Sequence, residues 1–131
     1  MGLSADDQLA IQQLAARYNH AIDSGDGVAY AGTFVDDGVL DAGELVVTGR
    51  AALEQFASSF ASSVRSPRHV ATSLLIEGGD GKAVLSAYVQ MYALVGDPPH
   101  QVITASGTYA DALVKLDDGW RFVRRTFTAD A

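Results

Sequence analysis

Two residues far apart in the chain have the side-chain types that together take protons from carbon: His69, in "SPRHVATS", and Asp23, in "AIDSGD". A neutral imidazole suits the role of base because imidazoles ordinarily titrate near neutrality. A carboxylate bonded to the other ring nitrogen fixes the tautomer and stabilises the imidazolium that forms. His69 stands at the mouth of a strand-like run bounded by Pro67 before it and by Gly78, Gly79 and Gly81 after it. Ala71, Ser73 and Leu75 are expected on its own side, and the small ones leave room beside the ring. Asp23 falls at the end of a helical run, where a carboxylate opposes the helix dipole and needs a compensating partner. Read as packing alone, His69 is a core histidine with a satisfied hydrogen bond, and the partner of Asp23 has no name. His20, three residues before Asp23, competes for the same carboxylate. His100 follows "DPP" in a turn and reads as solvated.

Arg124 and Arg125 are neighbours on the last strand-like run, so one of them points inward. Arg125 shares parity with Val123 and Phe127. Pointing inward, it either binds an oxyanion or leaving group in a cavity or forms an ion pair with a buried or rim carboxylate, including one at a dimer interface. Tyr18 lies on the apolar side of the first helical run. Tyr18, Tyr88 and Tyr109 are the tyrosines expected to offer a polar handle to an apolar ligand, although each ring is packing first. Three scattered histidines and no cysteine give no metal-ligand spacing, and "GGDG" at Gly78–Gly81 reads as a hairpin because no helix follows it. No cofactor and no metal are expected.

These residues need elements to hold them. Ser4 and Asp7 form an S-x-x-D capping signal ahead of Leu9, Ile11, Leu14, Ala15, Tyr18, Ala21 and Ile22, which recur at helical spacing. Gly25 and Gly27 stop that helix. "GVAYAGTF" predicts a short second helix ending near Phe34. Asp36-Asp37-Gly38 predicts a turn, followed by a short strand, and "ELVVTG" a further one. In "RAALEQFASSFASSV", Leu53, Phe56, Ala57 and Phe60 predict a third helix. After Arg68 the period becomes two, and His69–Ile76, Lys82–Val95, Val102–Leu116 and Trp120–Thr128 predict four strands joined by hairpin-like links. Helices followed by an antiparallel meander indicate an α+β fold. Neither parity of Lys82–Val95 is fully polar, so helices are expected on one face of the sheet and a second subunit on the other, as a homodimer.

The 131 residues suit one domain spanning 1–131, and 48% hydrophobic against 19% charged residues places the chain among globular proteins. A net charge of −7 opposes a nucleic-acid or anionic-lipid partner. No signal peptide and no run near the membrane-spanning length of about 20 apolar residues is visible. The absence of cysteine is compatible with a reducing cytoplasmic location.

The order of pieces "IQQLAARYNHAIDSGDGVAYAGTFVDDGVLD", "GRAALEQF", "RHVATS" and "LDDGWRFVRRTF" resembles the SnoaL-like branch of the nuclear transport factor 2-like superfamily, from about Asp7 to Phe127. The resemblance implies a cone-shaped barrel of a strongly curved sheet, mixed or antiparallel, wrapping one apolar cavity whose wall is closed by three N-terminal helices. Members of the superfamily include dehydratases, dehydrochlorinases, isomerases, epoxide hydrolases and polyketide cyclases, alongside transport and assembly domains with no catalysis. The dehydratase and dehydrochlorinase patterns imply a dyad of Asp23 and His69, and the latter implies a role for Arg125. This chain departs from them at Tyr18, where the dehydrochlorinase has a lysine, and at Ile22, where the dehydratase has a tyrosine. The implied activity is cofactor-free proton abstraction on a small, apolar, ring-containing substrate. The implied alternative is a ligand-binding or dimerisation module of the same shape.

Overall fold

In the computed structural model, which describes residues 2–131, the Ser4 hydroxyl starts the first helix by accepting from the Asp7 N–H at 3.0 Å. Helix α1 runs over Ala5–Ser24 and buries Ile11, Leu14, Ala15, Tyr18, Ala21 and Ile22, whereas Leu9 lies outside that stripe and is exposed. Gly25 ends it at φ 73°, where a side chain would be strained; a Cβ there would also lie 2.6 Å from the Ala61 Cβ. Helix α2 spans Gly27–Ala31, strand β1 Phe34–Asp41, β2 Val46–Thr48, helix α3 Arg50–Ser63, and strands β3, β4, β5 and β6 span Arg68–Gly79, Lys82–Val95, His100–Leu116 and Gly119–Ala129.

The six strands form one sheet in the order β2-β1-β6-β5-β4-β3. Every pairing is antiparallel except that of β1 with β6. The sheet is curved and mixed but does not close: β2 and β3 are its free edges, so the cone is open along one side and is not a barrel. Helical residues Ile11, Leu14, Tyr18 and Ile22 share one core cluster with Leu85, Val89, Tyr109 and Phe122 from the strands. On β4 the alternation is clean from Lys82 to Gln90, with Ala83, Leu85, Ala87 and Val89 buried and Val84, Ser86, Tyr88 and Gln90 exposed. The outer face of the sheet is therefore open to solvent in the protomer.

Two local expectations are corrected. The second helix stops at Ala31 instead of running to Phe34, and Asp36-Asp37-Gly38 lies inside β1 and not in a turn before it. The register of β1 against β6 shifts between Phe34 and Val39, so these residues form an irregular bend in a continuing strand. Gly38 sits where a Cβ would approach the Phe34 Cβ to 2.7 Å, and its carbonyl accepts from Gly49 N–H at 2.9 Å. Turn-forming residue types thus serve a bulge.

Candidate active site

Helix α1 ends beside the start of edge strand β3, and this brings Asp23 to His69 across 46 residues of sequence. The Asp23 Oδ1 lies 2.6 Å from His69 Nδ1. The same carboxylate accepts from the His69 main-chain N–H at 3.1 and 3.0 Å through its two oxygens. Asp23 therefore satisfies a backbone donor at the sheet edge and holds the ring at once. A carboxylate only accepts, so Nδ1 carries a proton, and in the neutral ring Nε2 then keeps its lone pair. Both side chains are largely buried, at 13% and 12% exposure, and the Phe60 ring packs on the imidazole at 5.5 Å between centroids.

His69 borders two hollows. One is an inner cavity of about 160 Å³ lined by apolar and aromatic groups, including Ile22, Phe56, Phe60, Val89 and the rings of Tyr18 and Tyr109. The other is an open groove of about 780 Å³ on the outer side of α1, where Asn19, His20, Asp23, Arg68, Tyr92 and Gln101 meet. The imidazole is the one ring that borders both, which places a base between an apolar pocket and the more polar groove.

Tyr18, on α1, and Tyr109, on β5, form part of the cavity wall. Tyr30 Oη donates to Tyr18 Oη at 3.0 Å, and the Tyr18 ring stands edge-on to Tyr109 at 6.0 Å. Burial holds the Tyr18 and Tyr109 phenols well above their ordinary range, so both remain protonated donors. Tyr88 is corrected: it alternates to the outer face of β4, is 62% exposed and does not line the cavity.

Arg125 is corrected as a direct substrate group. It is wholly buried, its Nε donates to Asp111 Oδ1 at 3.1 Å, and its guanidinium lies 3.4 Å from the Tyr109 ring centroid and 4.3 Å from that of Tyr18. The cavity wall is made by those rings and not by the guanidinium. Val123 also fails to share its side. Ala112 pairs with Arg124 and Leu113 with Phe122, so Val123 bulges out and the inward parity passes from Phe122 to Arg125. Burial is the largest single effect and works against the Arg125 charge, but Asp111 together with the Tyr109 and Tyr18 side chains outweighs it and holds the guanidinium above its ordinary value. Burial pushes the Asp111 carboxyl up to about 6 against the pull of Arg125. Asp111 Oδ2 and both Arg125 Nη atoms have no partner, so the pair repays only part of its desolvation.

The sequence reading missed Asp111, although its signal was present: a carboxylate stands two residues from Tyr109 and two from Leu113, on the buried parity of β5. His20 lines the groove but makes no side-chain bond to Asp23, and His100 Nδ1 lies 3.2 Å from the Pro98 carbonyl in a hairpin. Among the described residues no group of three or more histidine, aspartate or glutamate side chains is arranged to hold a metal ion.

The SnoaL-like domain model matches residues 4–126. No curated protein matches the chain. Among solved structures, an aspartate-to-asparagine variant of Rv3472, a protein of unknown function from Mycobacterium tuberculosis, superposes with a TM-score of 0.88 at 35% identity, over 93% of this chain and 70% of that one. A candidate aromatic ring hydroxylase from Novosphingobium aromaticivorans superposes with a TM-score of 0.85 at 27% identity, over 98% of this chain and 92% of that one. An NTF2-like protein with a cystatin-like fold from the same organism shares the fold at 22% identity, with a TM-score of 0.88, over 95% of this chain and 82% of that one.

Proposed function

This chain belongs to the SnoaL-like domain family, and we propose that it is a cofactor-independent enzyme of the lyase, isomerase or cyclase type. His69 Nε2 takes a proton from a carbon next to an electron-withdrawing group of a small, apolar, cyclic substrate. Asp23 keeps Nδ1 protonated and stabilises the imidazolium. A phenol of Tyr18 or Tyr109 donates to the oxygen on which negative charge develops. Elimination, isomerisation or ring closure then returns the proton. The observation that carries this reading is the 2.6 Å contact of Asp23 with His69, at a ring bordering an apolar cavity. Oriented bases at the edge of apolar pockets are where proton-transfer catalysis is expected.

The test is a thermal-shift screen of cyclic terpenoid, steroid and polyketide-like compounds on the wild-type protein and on His69→Ala. Compounds that turn over with the wild type and only bind the variant support the proposal. Binding without turnover in both supports the alternative, a small-molecule-binding or dimerisation module of the same fold.

Two further features belong to the proposal. The exposed outer sheet face suits a second copy of the chain, giving a homodimer. No described helix is long and apolar enough to cross a membrane, and a cysteine-free, acidic chain suits the cytoplasm, with neither nucleic acid nor membrane as partner.

A further inference from the structure

The size of the inner cavity limits what it can hold. A dry engineered cavity of about 150 Å³ accepts benzene and little more. The inner cavity has about 160 Å³, so it fits one six-membered ring. A longer ligand extending past His69 enters the groove, which has about 780 Å³ and a mixed polar and apolar lining. Two of its polar groups are unpaired. Arg68 is exposed and, among the described residues, makes no ion pair; its Nη1 donates only to its neighbour's carbonyl, that of Pro67, at 2.8 Å. The Asn19 Oδ1 is buried with no partner. The one carboxylate at the junction, Asp23, is already bonded to the ring and main-chain N–H of His69. The groove thus offers a cation without a counter-ion, which a carboxylate answers and an apolar extension does not; the Asn19 oxygen would need a donor and does not bear on the charged end.

We infer that the ligand straddles His69, with a single apolar ring in the inner cavity and a short chain ending in a carboxylate in the groove, where Arg68 receives it. This names the substrate class of the proposed site and rests on that site being the one used. The division of labour follows from the walls: the aromatic cavity supplies affinity by burial, and Arg68 selects the charged end and fixes which ring carbon faces His69.

Binding of 3-phenylpropionate, 3-phenylpropan-1-ol and 3-(1-naphthyl)propionate, followed by the NMR shifts of the His69 ring, tests the inference. The acid is expected to bind about threefold to fivefold tighter than the alcohol, the range for an exposed ion pair, and the difference to vanish in Arg68→Ala and in about 0.5 M salt. The naphthyl acid is expected to bind more weakly than the phenyl acid. Ala105→Phe, which fills the inner cavity, should abolish binding of all three; the surface variant Arg68→Ala keeps the test valid if that variant misfolds. Equal affinity of acid and alcohol, or indifference to Arg68→Ala, overturns the polar end. Equal or tighter binding of the naphthyl acid overturns the ring size, and no binding of any probe overturns both. Every readout is binding, so a protein that shows this pattern without turning over any compound loses the enzyme assignment and keeps the ligand one. A turning-over protein without the pattern does the reverse.

Discussion

Asp23 holds His69 by two bonds of different kinds: Oδ1 to the ring at 2.6 Å, and both oxygens to the main-chain N–H at 3.0 and 3.1 Å. The second bond fixes the backbone from which the ring hangs, so the imidazole is positioned from both ends. His69→Ala is expected to lower kcat/KM by about 10²- to 10⁴-fold, the usual worth of a positioned base. Asp23→Asn keeps the shape but loses the charge that favours the imidazolium, so about a 10²-fold loss or more is expected. Asp23→Ala leaves the backbone donor unmet and costs about 1–3 kcal/mol of stability as well. Initial rates together with urea unfolding of the three variants separate the two effects. A His69→Ala variant that is fully active sinks the dyad.

The tyrosines divide by the side of the sheet they face. Tyr18→Phe removes the acceptor of the Tyr30 hydroxyl and a donor at the cavity wall. It is expected to cost about 0.5–1.5 kcal/mol of stability and, if its phenol is the oxyanion donor, about 10²-fold in kcat. Tyr88→Phe, on the exposed face, leaves the rate unchanged. Measured kcat values for the two variants check the assignment; a rate loss in Tyr88→Phe would contradict it.

Arg125 and Asp111 are a buried pair joined by one 3.1 Å bond. Arg125→Met alone strands a buried carboxylate and is expected to cost about 3–5 kcal/mol, whereas Arg125→Met with Asp111→Leu should recover most of it. A double-mutant cycle by urea unfolding gives the coupling. If the double variant is as unstable as the single one, the packing of the guanidinium on Tyr18, Tyr109 and Phe122 matters more than its charge.

The partners of the dyad were legible in the sequence because each is marked locally. Asp23 ends an apolar-striped helix next to glycines, and His69 opens a strand after Pro67. The β4 boundaries were legible for a similar reason, with glycines and a Gly-Asp-Pro-Pro link around a clean alternation. What was not legible depends on register. One extra residue at Val123 changes which arginine faces inward, and nothing in "WRFVRR" announces it. The bend at Asp36-Asp37-Gly38 has the composition of a turn, and only pairing with β6 keeps it extended. The parity of Tyr88 was clear, but which parity faced the core was not, because both sides of β4 carry apolar residues.

Two carboxyls shape the acid limb of stability in opposite senses. Asp7 is held down to about 2, first by its bond from Lys115 at 2.9 Å and then by that from Trp120 at 3.0 Å. Its native value lies below the ordinary 3.8, so its stabilisation is present above about pH 4 and is lost as pH falls toward 2. Asp111 has a native value of about 6, above its ordinary 3.8, so the folded state holds the extra proton and stability declines as pH rises from about 4 through 6. Plots of Tm against pH check both. Asp7→Asn should flatten the profile below pH 4, and Arg125→Met with Asp111→Leu should remove the decline between pH 4 and 6. An unchanged slope in either variant rejects the corresponding group.

The outer face of the sheet carries Val84, Tyr88 and Ile103, all at least half exposed, with Val70 on edge strand β3. Val84, Tyr88 and Val70 sit on adjacent, paired strands, since Glu77 pairs with Val84, Thr72 with Tyr88 and Val70 with Gln90. An apolar area of this kind on a protein of −7 net charge costs solubility when bare and contributes to association when covered by a copy of itself. The wild-type chain is expected to sediment as a dimer at micromolar concentration. Val84→Asp with Tyr88→Glu places four like charges across the two-fold-related faces and should yield a monomer with an intact fold, because both positions point away from the core. Sedimentation equilibrium with circular dichroism decides it: a wild-type monomer refutes the dimer, and a dimeric double variant moves the interface to another face. In the monomeric variant the inner cavity should still bind ligand, since neither Val84 nor Tyr88 borders it.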